Sequence, residues 1–155
     1  MYFEKVINYI DNKYHHKRII KFLTSYKINK LIDVGSHKGE FIENFLKFKK
    51  IKSAYAFEPQ IDIYRILKKK LKKYKNIKKK NIALDKKLGV KKIFISKLSS
   101  TSTLSLINDN SLFLKIKKFL IRDKKSFLKS YLVKTTSIDI FFKKIDLTNT
   151  LLKID

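Results

Sequence analysis

The chain has 155 residues, 44% of them hydrophobic and none of them cysteine, and carries a formal net charge of +25 at pH 7. This predicts one folded domain with its own core, and it excludes a disulfide framework, a thiolate metal site and a membrane-spanning run of roughly 20 apolar residues. Only three of the 38 basic residues are arginine (Arg18, Arg65 and Arg122), and the lysines run along the whole chain. The charge therefore reads as a solvated lysine face, with weak attraction to anionic membranes, rather than as a nucleic-acid interface. Met1 to Lys5 lacks a basic segment leading into an apolar run, so no secretory signal is read and a cytoplasmic protein is expected.

In chain order, Phe3, Val6, Ile7 and Ile10, then Ile19, Ile20 and Leu23, predict helix over 3–25 in two pieces. The adjacent His15 and His16 face different directions on such a helix and make a poor ligand pair. A strand over 30–34 leads through Gly35 and Gly39 into a helix over 39–49, whose apolar positions Phe41, Ile42, Phe45 and Leu46 keep helical spacing. A second strand, 53–57, ends in Glu58-Pro59, because proline cannot extend a central ladder. A helix follows over 61–74 with Ile61, Tyr64, Leu67 and Leu71 on one side, and then a third strand over 77–83.

Beyond Leu88-Gly89 the pattern changes. Val90–Ser96 reads as an extra strand, 99–105 as a polar loop holding Ser99 and Ser100, and 108–131 as one or two short basic helices. A short strand over 132–135 precedes a capping box in Thr136-Ser137-Ile138-Asp139 and a helix over 137–145. Leu151–Asp155 reads as a buried strand ending on an acid. The expected organisation is a single domain: an N-terminal helical segment 1–26, a βαβαβ core 27–85, a β/helical insertion 86–132, and a helix and final strand 133–155. The fold class is α/β, a Rossmann-like parallel sheet with flanking helices.

Three features fall at the carboxyl ends of the first three strands, where such sheets bind ligands. They are Asp33-Val-Gly35-x-x-x-Gly39, Glu58 nineteen residues beyond Gly39, and Asn81-Ile82-Ala83. An acid at that distance is placed to accept hydrogen bonds from ribose hydroxyls. The glycine spacing is not the G-x-G-x-x-G that cradles a pyrophosphate, and Asp33 would repel one. An acid there attracts an ammonium or sulfonium, which fits S-adenosylmethionine. No metal cluster is visible in the sequence.

Leu31-Ile-Asp-Val-Gly-Ser-His-Lys-Gly-Glu-Phe41, Ala56-Phe-Glu-Pro59, Asn81-Ile-Ala-Leu84, Ser99-Ser100, Val133-Lys-Thr-Thr-Ser-Ile-Asp139 and Leu152-Lys-Ile-Asp155 stand in the order seen in FkbM-type methyltransferases. The resemblance covers residues 28–155. It implies the class I methyltransferase fold and transfer of a methyl group from S-adenosylmethionine, usually to a hydroxyl of a sugar or natural product. It implies that Asp33, Gly35, Ser36 and Gly39 contact the methionine part, that Glu58 holds the ribose, and that Asn81 and Ile82 border the adenine. No general base is identified. Asp155 and His37 are the catalytic candidates, each with a plain reading as a chain-end or loop residue. In that family the last motif continues into Val-Glu-Gly-x-Glu, whereas nothing follows Asp155 here. An incomplete sheet, or one completed by a partner chain, is expected. The alternatives are an RNA methyltransferase, disfavoured by scarce arginine and by the lack of an Asn/Asp-Pro-Pro-aromatic motif, and a non-catalytic half-domain that binds a nucleoside or a partner chain.

Overall fold

The computed structural model of the chain describes residues 17–96 and 127–155. The predicted helix over 3–16, the His15-His16 pair, the polar loop 99–105 with Ser99 and Ser100, and most of 108–131 lie outside the described residues. The chain forms two compact units, Met1–Gly89 with Lys134–Asp155, and Val90–Val133.

The first unit is built on a parallel sheet of four strands, β1 (Lys30–Val34), β2 (Ser53–Phe57), β3 (Ile77–Lys80) and β7 (Thr150–Ile154), in the order β3-β2-β1-β7. Its helices are α1 (Lys17–Leu23), α2 (Glu40–Phe48), α3 (Ile61–Lys70) and α4 (Ile138–Phe142). The fold is α/β and Rossmann-like.

Strand alternation sorts the core into two sides. Leu31, Ala54, Ala56 and Ile77 pack with Ile20 of α1, Phe41, Ile42 and Phe45 of α2, and Leu67 and Leu71 at α3. Ile32, Tyr55 and Phe57 pack with Phe142 of α4. Here the rings do the packing, with Tyr55 and Phe142 centroids 4.9 Å apart and Phe57 and Phe141 5.0 Å apart, both edge-to-face.

Within the same unit, the short β4 (Ala83–Leu84) pairs in parallel with the end of β6 (Phe127–Thr136), Ala83 opposite Thr135 and Leu84 opposite Thr136. The second unit contains most of β5 (Gly89–Ser96) and of β6, which are neighbours in one sheet. Ile93 and Val133 are buried there.

Several sequence expectations need correction. The third strand stops at Lys80, and Ala83–Leu84 forms a separate strand in the other sheet. The helix after Glu58-Pro59 ends at Lys70, where Leu71 leaves helical geometry (φ −90°, ψ 13°) and 71–73 form a turn. Strand β6 begins at Phe127, so residues 127–131 are extended rather than helical. The helix-start signal acts one residue later than read: Ser137 is the N-cap and its hydroxyl accepts from the Ile140 N–H, so Thr136 and Asp139 do not form a capping box. Finally, β7 is not buried. Leu152 and Ile154 are 44% and 63% exposed, because among the described residues β7 is the last strand on its side of the four-stranded sheet.

Candidate functional site

The turn between β1 and α2 folds through three residues of positive φ, Gly35 (74°), His37 (47°) and Gly39 (79°). The two glycines have different steric reasons. A Cβ on Gly35 would lie 3.3 Å from the Asp155 Cβ. A Cβ on Gly39 would lie 2.8 Å from Leu67 Cδ1 and 3.1 Å from Leu71 Cδ1. Gly39 thus lets α2 start against the two buried leucines of the α3 region, and Gly35 lets the end of β7 approach the turn.

Four N–H groups of the turn are spent on the protein itself. Gly35 and Ser36 both donate to the Phe57 carbonyl (3.0 and 2.9 Å), and Gly39 donates to the Ser36 carbonyl (2.7 Å). His37 N–H donates to Glu58 Oε2 at 2.9 Å. The Ser36 hydroxyl donates to the carbonyl of Asp33 at 2.7 Å. The turn is therefore pinned to the end of β2 from below, with these donors already engaged.

Glu58 is the pin. Its Oε1 accepts from the Gln60 N–H at 2.8 Å while Oε2 takes His37, and its own N–H continues the ladder to the Lys80 carbonyl at 3.1 Å. Burial pushes its carboxyl above the ordinary carboxylate range, against the pull of those two N–H donors and of His37. Asn81 supports the same corner, its amide donating to the carbonyls of Glu58 (2.8 Å) and Pro59 (3.0 Å). Ile82 packs partly buried beside the Phe57 and Phe142 cluster.

Asp33 lies inside β1, fully buried, opposite Ala56 of β2 and Lys153 of β7. Lys153 Nζ is 3.0 Å from Asp33 Oδ1. At that distance the ammonium both neutralises the carboxylate and donates a hydrogen bond to it. Burial raises the Asp33 carboxyl above its ordinary range and Lys153 opposes that rise. Burial likewise works against the Lys153 ammonium, but Asp33 and Asp155 outweigh it and hold that amine above its ordinary value. Lys153 Nζ also contacts Asp155 Oδ2 and lies 5.5 Å from the centre of the Phe41 ring. The Asp155 N–H extends the β1–β7 ladder one step, donating to the Val34 carbonyl at 3.1 Å.

The structure thus brings Asp33, Gly35, Ser36, His37, Gly39, Glu58, Asn81 and Asp155 to one end of the sheet. His37 Nδ1 is 3.8 Å from Glu40 Oε2 at the start of α2. Lys153 is the residue that sequence reasoning left without a role. Its signal was present in Leu152-Lys-Ile-Asp155, where Lys153 and Asp155 share one side of a strand. Knowing that it meets Asp33 required knowing that β7 pairs with β1. Among the described residues, no group of three or more His, Asp or Glu is placed to hold a metal, and no helix is long and apolar enough to cross a membrane.

No protein-family model matches this chain, and no curated protein matches it in sequence. Among solved structures, the chain is similar to the crystal structure of methyltransferase FkbM from Methylobacillus flagellatus KT, with a TM-score of 0.50 and 15% sequence identity. The match covers 84% of this chain and 26% of that one. The chain therefore spans about a quarter of that protein's length, and the likeness is one of fold.

Proposed function

We propose that the chain binds S-adenosylmethionine and belongs to an FkbM-type methyltransferase acting on a hydroxyl of a sugar or natural product. The observation that carries this reading is the chemistry of the glycine turn. A pyrophosphate site needs backbone N–H groups free to point at the ligand. Here the N–H groups of Gly35, Ser36, His37 and Gly39 are engaged. Acids lie around the turn instead: Asp33 in the strand before it, Asp155 against Gly35 and Glu58 beneath His37. That acid-rich surround suits a cationic nucleoside and disfavours an anionic one. Similarity of fold to a methyltransferase supports the same choice.

In this reading S-adenosylmethionine supplies, when bound, an electrophilic methyl on a positive sulfur. Asp33, Gly35, Ser36 and Gly39 would serve its amino-acid part, Glu58 the ribose, and Asn81 and Ile82 the adenine side. Glu58 would do so from the corner it already fixes, because its two oxygens hold His37 and Gln60 in place. The protein's contribution to transfer is orientation and exclusion of water. His37 and Asp155 are the groups at this end of the sheet available to take a proton from an acceptor hydroxyl.

Isothermal calorimetry of the full chain tests the reading. Titration with S-adenosylmethionine should give saturable heat at one site per chain, and titration with NAD should give none. Binding of NAD without binding of S-adenosylmethionine, by a chain whose circular dichroism shows it folded, would overturn it.

A further inference from the structure

Asp33, Lys153 and Asp155 form a graded series. The Asp33 side chain is fully buried, that of Lys153 is 16% exposed and that of Asp155 is 62% exposed. Strand geometry dictates the series. Asp33 and Lys153 are cross-strand partners in the parallel β1–β7 register, and Asp155, two residues on, returns to the side of Lys153. One ammonium therefore meets both acids, 3.0 Å from Asp33 Oδ1 and in contact with Asp155 Oδ2. The backbone fixes the outer end of the series, because the Asp155 N–H is bound to the Val34 carbonyl and its Cβ packs on Gly35.

A carboxylate that is fully enclosed is poorly placed to meet a ligand directly. Its charge is matched by a lysine whose side chain is largely enclosed, 16% of it exposed. What that lysine presents outward is Asp155. We propose that Lys153 is a positioning residue that uses buried Asp33 as its anchor and holds the Asp155 carboxylate over the Gly35 turn, so that Asp155 rather than Asp33 meets the positive part of the ligand. This rests on the S-adenosylmethionine reading and names which acid faces that ligand. The roles expected from the sequence change accordingly: Asp33 acts as interior support, and Asp155, a catalytic candidate, acts first as a binding group.

The charged groups around the series are Glu58 from the end of β2, His37 from the turn and Glu40 from the start of α2. Glu58 is held by two backbone N–H donors, and Glu40 lies beside His37 and 3.9 Å from Lys70 Nζ. Each has its own partners. That leaves Lys153 as the cation in contact with both Asp33 and Asp155 among the described residues.

A double-mutant cycle in the full chain, read by calorimetry with S-adenosylmethionine, tests this directly. Lys153→Met and Asp155→Asn should each weaken affinity about tenfold, and the double variant should be no weaker than either alone, because the two residues act as one unit. Lys153→Arg, which keeps the charge, should return affinity to within about threefold of the parent. Independent losses that multiply to roughly a hundredfold, or wild-type affinity in Lys153→Met, would overturn the proposal. The same cycle read by thermal midpoint without ligand separates the two ideas. If the parent chain gives no heat with S-adenosylmethionine, the cofactor reading fails. The Lys153–Asp155 unit is then supported by non-additive midpoints and refuted by additive ones.

Discussion

Gly39→Ala tests the claim that this glycine serves packing as much as ligand approach. The new Cβ would sit 2.8 Å from Leu67 Cδ1 and 3.1 and 3.3 Å from Leu71 Cδ1 and Cγ, and both leucines are fully buried. Two costs add. Holding alanine at a φ of +79° costs about 1–2 kcal/mol. Forcing a methyl into a packed core costs about 1–3 kcal/mol, because side chains there cannot swing away freely. The sum is about 3 kcal/mol, or roughly 6–12 °C in thermal midpoint for a chain of this size. Gly35→Ala supplies the control. Its φ is similar, at +74°, but its Cβ would meet Asp155 Cβ at 3.3 Å, without the 2.8 Å overlap found at Gly39. Its loss should stay near the backbone cost of about 1–2 kcal/mol. The assay is urea and thermal unfolding followed by circular dichroism. The reasoning fails if Gly39→Ala costs no more than Gly35→Ala. It fails equally if trimming Leu67 to Val in the Gly39→Ala background gives a fully additive loss, since neighbours that clash should couple.

Glu58→Gln leaves one carbonyl oxygen to serve the N–H groups of both His37 and Gln60, and should cost about 1–2 kcal/mol near pH 4.5. Burial raises the Glu58 carboxyl above 4.5 in the folded chain, so the folded state holds that proton more tightly than the unfolded one. The parent's stability then falls as pH rises from 4.5 through the folded value, and the deficit of the Gln variant should narrow over that window. Urea midpoints at pH 4.5, 5.5 and 7 check the sign, and a deficit that grows with pH is the wrong answer. Ser137→Ala removes the hydroxyl that caps Ile140 N–H at 3.2 Å and should cost about 1 kcal/mol, more than Asp139→Asn, which lacks a capping role. Phe142→Ala empties the site packed edge-to-face on Tyr55 and Phe57 and should cost about 3–4 kcal/mol, with loss of near-ultraviolet dichroism.

The sequence by itself determined the elements that local chemistry dictates. The apolar runs 30–34 and 53–57 are strands with the expected bounds, because their buried faces leave no other period open. The glycine turn was legible because φ above zero at two positions, so close to a strand end, has few other uses. The convergence of Asp33, the glycines, Glu58 and Asn81 followed from parallel strand order, since every loop that leaves a parallel strand's carboxyl end lies at the same edge.

Tertiary structure alone decided how those residues are used. Gly39 is required by Leu67 and Leu71, some thirty residues away in the chain. Glu58, read as a ribose ligand, already binds two backbone N–H groups, a fact no spacing rule contains. Strand β7 has the composition of a buried strand yet exposes Leu152 and Ile154, because burial depends on what lies beside a strand and not on its own residues. Lys153 looked like one lysine among many. Pairing of β7 with β1 sets it against Asp33, and a cation otherwise destined for solvent becomes the link between a buried acid and an exposed one. Local rules fix periodicity and turn geometry. Contacts between residues 120 positions apart depend on which strands become neighbours, and that is settled by packing of the whole sheet.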